Sequence, residues 1–331
     1  MKRYAPVFTL ALLAPFIAEF LFGATPVSRL GSFLFLMLLY GGGAVLIREL
    51  VRRRRTTGWG RIAVLGAAYA LIEEGIAVQS FFNPDLFQAA AIGGRALGVN
   101  WVWSEWTVGY HILWSLLIPI LLAELLFPSQ RTEPWLKIGG MAVAGACFTL
   151  GVTVIGIAFR RTIAPTFRAS AAHLAVTALA AAVLTVLALS WPVRLSARRL
   201  AKPQGSAPSP WLLGALALLV TAGWFGLFFL PQLLKSGAWA LIPMFVAAAL
   251  AAVAGLLVRR WSAPGGTWTD LHSLALIFGA LPANMLFGFL VVTAGNRTDQ
   301  IGQAIGCLVT LTLLVFFANR VRRRDSIMVA A

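Results

Sequence analysis

The sequence predicts an all-α membrane protein, a polytopic transmembrane bundle of about ten spanning helices. Of the 331 residues, 60% are hydrophobic and only 11% are charged, a composition typical of chains that cross a bilayer many times. The apolar residues also form runs of about 20, the length that an α-helix needs to span the hydrocarbon core. A soluble globular fold is therefore excluded.

Ten such runs follow one another along the chain, and an even number of spans places both termini on the same side of the membrane. The predicted spans cover residues 5–23, 30–50, 60–79, 107–127, 138–158, 168–189, 210–230, 237–258, 271–293 and 301–319.

Basic residues are divided unevenly between the two sides of this topology. The side of the termini holds 20 of the 27 Lys and Arg residues, and the other side holds 7. By the positive-inside rule, this predicts cytoplasmic termini and a multi-pass protein of the cytoplasmic (inner) membrane. We interpret the net charge of +16 through the bilayer, so anionic lipid at the cytoplasmic face is the expected partner. Nucleic acid is not expected, because no basic soluble domain remains outside the helices.

A basic segment rich in Pro and Ser, 194–210, is typical of a flexible cytoplasmic linker. It divides the chain into a six-helix membrane part, 1–193, and a four-helix part, 211–331, which ends in a basic tail. Nearly all ionisable residues inside the predicted spans belong to the first part. The run 52–55, four consecutive arginines, is interpreted as a topology anchor, with a lipid or partner contact as the alternative.

The third predicted span carries two adjacent carboxylates, Glu73 and Glu74, inside an apolar run. Each charge within a membrane costs at least ~2.5–3.5 kcal/mol, so the pair needs a reason, either a functional site or an internal structural pair. Two adjacent carboxylates in a low dielectric cannot easily both ionise, and one is expected to keep its proton near neutrality. Such a group can act as a general acid or base, or carry a proton through a transport cycle.

Helix geometry places further polar side chains at the depth of this pair. At ~1.5 Å per residue, Glu19, Glu73, His111, His173 and Asn284 all lie roughly 18–24 Å above the cytoplasmic face of a ~30 Å core. They belong to five different helices, which predicts a shared polar site in the outer half of the membrane. The alternative is that both histidines start ordinary helices and that the asparagine makes a packing hydrogen bond.

We therefore expect Glu73, Glu74 and His111 to act as the catalytic set. Ser115 follows His111 by four residues and shares its helix face. Glu124 is expected to snorkel from the cytoplasmic end of the same helix. The candidate substrate-binding residues are Gln79, Ser115, His173, Asn284, Glu19, Arg160, Arg161 and Arg168.

Metal and cofactor chemistry receives little support from the sequence. Glu and His could together hold zinc, but the H-E-x-x-H pattern is absent and no two histidines share a helix, so no metal site is predicted. Which cofactor the protein uses, if any, is unknown from the sequence. Arg160, Arg161 and Arg168 lie in an external loop against the charge bias, which indicates an anionic partner such as a lipid headgroup or a tolerated exception in a short loop.

The pair Glu73-Glu74, with histidines on later helices and Asn284 in a later span, resembles the CAAX-prenyl-protease-like (CPBP) intramembrane glutamic proteases. The resemblance implies a glutamate and histidines that activate water. That family uses the patterns E-E-x-x-x-R, F-x-x-x-H and H-x-x-x-N, and this chain departs from each of them. Val78 stands in the Arg position with Gln79 beside it, and Thr107 stands in the Phe position before His111. The Asn position holds Thr177 or, after His272, Leu276.

Three functions remain open from the sequence. One is an intramembrane hydrolase or transferase that acts on a lipid or a membrane peptide, with Glu73 or Glu74 as base and His111 as its partner. Another is a proton-coupled permease for an anionic or lipid-like cargo. The last is a non-catalytic membrane partner of a larger complex.

Overall fold

The fold follows from a chain whose backbone polar groups must be satisfied without water, which in a bilayer favours helices. A computed structural model of the protein describes residues 4–54, 58–190, 206–233, 239, 241–263 and 265–330. The described chain forms ten helices: α1 (Ala5–Phe20), α2 (Val27–Arg52), α3 (59–77), α4 (Trp101–Leu126), α5 (Ile138–Ile163), α6 (Ala171–Ser190), α7 (Pro210–Leu233), α8 (Leu241–Trp261), α9 (Asp270–Val292) and α10 (Arg297–Ala330).

This architecture confirms the predicted all-α polytopic class. Eight of the helices, all except α1 and α3, are long and apolar enough to cross a membrane by length and composition. Helix α1 is a shorter apolar helix, and α3 carries Arg61 together with both glutamates of the candidate site. Helix α4 begins at Trp101, six residues before the predicted span, because Ser104 and Glu105 interrupt the apolar pattern without interrupting the helix.

Contacts divide the chain into two compact units. The first comprises the described residues of Met1–Ala18, Gly31–Trp191 and Leu227–Ala248, and the second those of Glu19–Leu30, Pro192–Gly226 and Ala249–Ala331. Each unit thus combines three separate segments of the chain, whereas the sequence-based division at 194–210 cuts the chain into two continuous parts. Most of the predicted linker, 194–205, lies outside the described residues.

In the first unit, a buried ion network joins α2 to α4. Arg48 and Arg52 lie one turn apart on α2, and both donate to the Glu124 carboxylate on α4. The Arg52 contact is bidentate, with Nε–Oε1 and Nη2–Oε2 distances of 2.7 Å each. Glu124 is 5% exposed and Arg52 1% exposed. The expectation that Glu124 snorkels was therefore wrong, and Arg52 is a core residue rather than a surface anchor.

The same network holds the loop 127–137 against α2. Glu49 accepts hydrogen bonds from Arg48 Nη1 at 2.7 Å and from the backbone N–H groups of Trp135 and Leu136 at 3.0 Å. Arg48 also donates to the carbonyls of Gln130, Arg131 and Glu133, and its guanidinium carbon lies 3.5 Å from the centre of the Trp135 ring. Each buried charge of the network thus has several partners, as burial without water requires.

In the second unit, segment 19–30 packs against α9 and α10. Asp299 accepts hydrogen bonds from the backbone N and the hydroxyl of Ser28 at 3.1 and 3.0 Å. Gln303 donates to the Leu21 carbonyl at 2.9 Å and accepts from the Thr293 hydroxyl at 2.8 Å. Gly288 is required here, since a Cβ at this position would lie 2.1 Å from the Phe22 carbonyl oxygen.

Between α3 and α4, the loop 78–100 folds back on itself. The Asn83 side chain accepts hydrogen bonds from the backbone N–H groups of Asp85 and Leu86 at the start of a short helical turn. That turn is a 3₁₀ helix of three residues, Leu86–Gln88, in which Phe87 and Gln88 adopt positive φ. An antiparallel pair of two-residue strands follows, β1 (Arg95–Ala96) and β2 (Val99–Asn100), which the sequence did not predict.

The ion network gives a stability prediction. Replacement Glu124→Gln removes the buried charge that Arg48 and Arg52 share, so that Glu49 alone remains to balance them, and should cost about 3–5 kcal/mol. We expect a clear fall in the thermal unfolding midpoint of the protein in detergent. The matched control is Arg54→Ala, at an exposed arginine two residues beyond Arg52, which should change stability by less than about 0.5 kcal/mol. Equal effects of the two substitutions would show that the network contributes nothing.

Orientation in the membrane gives a second prediction. In a background with Cys147 and Cys307 replaced by alanine, Ala91→Cys in the loop 78–100 should react with an impermeant thiol reagent in intact cells. Ser129→Cys in the loop 127–137 should react only after the membrane is opened. Both positions are exposed on their loops. The reverse pattern would place the termini outside.

Candidate active site

The candidate site is built on two stretches of π-helix. Residues Leu71–Ala77 of α3 are π-helical and contain Glu73 and Glu74, and the Val78 N–H bonds the Glu73 carbonyl five residues back at 2.8 Å. Residues His111–Leu117 of α4 are also π-helical and begin with the candidate histidine. Short π-helical stretches within α-helices are rare and frequently mark functional sites.

Close packing of α3 on α4 brings the two stretches together. Gly66 lies at the contact, where a Cβ would come within 3.1 Å of Leu116 and 3.2 Å of Ile112. The absence of a side chain at this position lets the helix backbones approach. As a result, Glu73 and His111 are only 4% and 3% exposed, and Glu74 is almost as well buried.

His111 lies between the two carboxylates. Its Nε2 is 3.3 Å from Glu74 Oε1, and its Nδ1 is 3.5 Å from Glu73 Oε2. The Ser115 hydroxyl, one turn further along α4, is 2.9 Å from Nδ1. The structure thus brings together Glu73, Glu74, His111 and Ser115, four of the residues singled out in the sequence.

Two tyrosines that the sequence analysis missed complete this group. The Tyr40 ring on α2 and the Tyr69 ring on α3 lie 5.9 and 5.7 Å from the His111 ring, and both phenols lie beside the Glu73 carboxylate. Tyr69 precedes Glu73 by four residues, so helix periodicity could have placed it on the same face. Tyr40 belongs to a third π-helical stretch, Met37–Gly41, and no local pattern signals its approach.

On its other side, Glu74 is bound by Ser80 of the loop 78–100. The buried Ser80 hydroxyl donates to Glu74 Oε2, and Trp103 Nε1 donates to Ser80 Oγ at 2.9 Å. The sequence analysis gave neither residue a role in the site. Their contact depends on the path of the loop, which hydropathy does not encode.

The remaining outer-loop candidates have partners of their own. Gln79 adopts a positive φ of 62° and its amide oxygen accepts from the Ala169 N–H at 2.9 Å. His173 Nε2 is 3.1 Å from the Leu97 carbonyl oxygen, and Ser170 Oγ is 3.0 Å from its Nδ1. Both residues link the start of α6 to neighbouring backbone.

The arginines of the α5–α6 loop differ in environment. Arg168 donates to the Arg160, Ala164, Pro165 and Phe167 carbonyls, so its guanidinium closes the end of α5. Arg160 and Arg161 lie in the π-helical end of that helix, and Arg161 is exposed. Arg161 and Arg168 are thus exposed, and Arg160 is half-buried.

Glu19 and Asn284 belong to the second unit. The Glu19 carboxylate accepts from the Thr25 hydroxyl at 2.7 Å, and Asn284 is fully buried in α9. Their predicted role in binding a substrate stays a prediction.

The three central groups could offer ligands to a metal ion, since one atom from each of Glu73, Glu74 and His111 lies within 4.8 Å of the others. Zinc bonds of about 2.0–2.2 Å would bring such atoms to roughly 3.3 Å from one another. The two ring nitrogens of His111 each lie nearest to a different carboxylate.

Fold and composition together define the protein as a multi-pass helical membrane protein with a buried Glu–His cluster. The chain belongs to an uncharacterized membrane protein family, whose model matches residues 8–281 and so includes every residue of the cluster. No curated protein and no solved structure matches the chain.

If the cluster is one unit, its members should be energetically coupled. Removal of either His111 or Glu74 deprives the other of one buried hydrogen-bond partner, at a cost of about 1–3 kcal/mol. In a double-mutant cycle of His111→Ala and Glu74→Ala, we expect the double variant to lose less stability than the sum of the single variants.

The matched control is the cycle of His272→Ala with Glu74→Ala, because His272 bonds Thr269 in the cap of its own helix. That cycle should be additive within about 0.5 kcal/mol. Strict additivity for His111 as well would contradict the cluster.

Proposed function

We propose that the protein is an intramembrane hydrolase, or a related transferase, that acts on a lipid or a membrane-embedded peptide. The observation that carries the proposal is the placement of a buried imidazole between two buried carboxylates. Burying such groups is costly, and the ion network shows that this fold pairs charges fully when they serve structure alone. The cluster is less completely paired. Within the described residues, Glu73 Oε2 accepts no hydrogen bond of ordinary geometry.

This geometry suits the activation of water. Glu73, as general base, takes a proton from a water molecule whose oxygen attacks an ester or amide carbonyl carbon. His111 lies 3.5 Å from Glu73 and can pass the proton to the leaving oxygen or nitrogen as the bond to the carbonyl carbon breaks. The Tyr40 and Tyr69 hydroxyls are available as donors to the negative charge that develops on the carbonyl oxygen. In a transferase, a hydroxyl of the acceptor takes the place of water.

The resemblance to CPBP proteases supports the same chemistry, because the positions that match are Glu73, Glu74 and His111. The charge bias supports cytoplasmic termini in an inner membrane, with anionic lipid against the basic face. In this orientation, the cluster lies toward the outer leaflet, and exposed Arg161 faces headgroups there.

The proposal is tested with the full-length protein in vesicles of phosphatidylethanolamine and phosphatidylglycerol that also contain a helical membrane peptide. Mass spectrometry of all lipid and peptide species detects any hydrolysed bond without prior choice of substrate. Glu73→Gln and His111→Ala should each lower the initial rate by at least about 100-fold, as expected for loss of a general acid or base.

The control is Glu133→Gln, which removes an exposed carboxylate and should retain the wild-type rate. Absence of any cleaved lipid or peptide would overturn the hydrolase. If wild-type vesicles instead dissipate an imposed pH gradient and Glu73→Gln vesicles do not, the permease replaces it. If neither activity is found, the protein is a structural partner.

A further inference from the structure

The loop 78–100 supplies a hydrogen-bond chain that enters the cluster from the side opposite His111. Ser80 is fully buried, and its Oγ contacts both Trp103 Nε1 and Glu74 Oε2. The other Glu74 oxygen, Oε1, lies 3.3 Å from His111 Nε2. Both oxygens of Glu74 are thus engaged, one on each side.

Chemistry fixes the direction of this chain. An indole nitrogen can only donate, so Trp103 uses the Ser80 oxygen as its acceptor. The hydroxyl proton of Ser80 must then point elsewhere, and Glu74 Oε2 is the acceptor that lies in contact with it. This oxygen receives a proton from Ser80, and the carboxylate is held with Oε1 directed at the imidazole.

The backbone around Ser80 is held in an uncommon shape. Its carbonyl accepts from Asn100 Nδ2 at 3.0 Å, and the same amide bonds the Asn83 carbonyl at 2.8 Å. In the part of the chain that the structure describes, all four non-glycine residues with positive φ lie in this loop, namely Gln79, Phe87, Gln88 and Leu97. Such conformations are strained and persist only where the surroundings enforce them. Gln79 directly precedes Ser80.

We propose that Ser80 is a positioning residue of the site, which fixes Glu74 so that the carboxylate accepts from the Nε2–H of His111. Nδ1 is then the acceptor nitrogen, and it faces Ser115 Oγ and Glu73 Oε2, where the proposed hydrolysis needs a proton acceptor. The catalytic use of this arrangement rests on the proposed function, whereas the arrangement itself is a matter of structure. His111 should be held in one tautomer, and Ser80 should be the reason.

The chain contains three histidines, His111, His173 and His272, so ¹⁵N-histidine-labelled full-length protein gives few imidazole signals. His173→Gln and His272→Gln assign them. Nitrogen chemical shifts distinguish the two tautomers directly. We expect His111 of the wild type to be Nε2–H, Ser80→Ala to lose this single-tautomer signature, and Ser80→Thr, which retains a hydroxyl, to restore it.

Ser170→Ala is the matched control. The Ser170 hydroxyl contacts His173 Nδ1, so this variant removes a serine hydroxyl beside a different histidine. This variant should alter the His173 signals and leave those of His111 unchanged. Suppose that Ser170→Ala alters the His173 signals while Ser80→Ala leaves the His111 signals as in the wild type. That result would overturn the proposed role of Ser80.

If Ser80→Ala does not fold, Trp103→Phe provides the test, since it keeps an aromatic ring but removes the N–H that orients Ser80. Unchanged His111 signals in this variant would overturn the proposal, and mixed tautomers would support it. The readout needs no substrate. A protein without hydrolytic activity that shows these spectral changes would refute the proposed function and leave the role of Ser80 intact.

Discussion

The structure depends on one constraint, namely that a charge buried within a bundle of apolar helices must find its partners inside the protein. The pair of arginines on α2 and Glu124 on α4 meets this constraint with a bidentate contact and a second guanidinium. Glu49 meets it by binding Arg48 and the backbone of the loop 127–137. Because α2 and α4 also carry Tyr40 and His111, the network that fixes these helices at one end also determines how their other halves face each other.

The candidate site shows how irregular backbone places chemical groups within a regular bundle. Tyr40, the two glutamates and His111 each belong to a π-helical stretch of a different helix. A π-helical turn changes the direction in which successive side chains point, so it alters which side chains converge without moving the helix axis far. The loop 78–100 then closes the site with Ser80. We infer that the regular helices hold the site rigid and that their π-helical turns orient the side chains of the site toward one another.

Much of the fold could be predicted from the sequence, because membrane spans depend on composition and run length alone. The meeting of Glu73, Glu74 and His111 followed from depth, a quantity that residue counting along a helix provides. Depth is only one coordinate, however. His173 was placed at a similar depth, yet its ring contacts Leu97 and Ser170, because rotation about the helix axis and loop path decide where a side chain points. The partners of Glu124 and of Ser80 were unpredictable for the same reason.

The buried carboxylates of the ion network and those of the Glu–His cluster have different kinds of partner. Glu124 accepts from two arginines, so its charge is balanced and its oxygens are occupied. Glu73 faces a neutral or singly charged imidazole and two phenols, and Glu74 is tied to Ser80. A carboxylate held by cations gains nothing from a proton, whereas one held by hydroxyls and an imidazole has neighbours that can exchange protons with it. This difference in partners, more than burial itself, makes the Glu73–His111 pair the reactive centre of the molecule in our proposal.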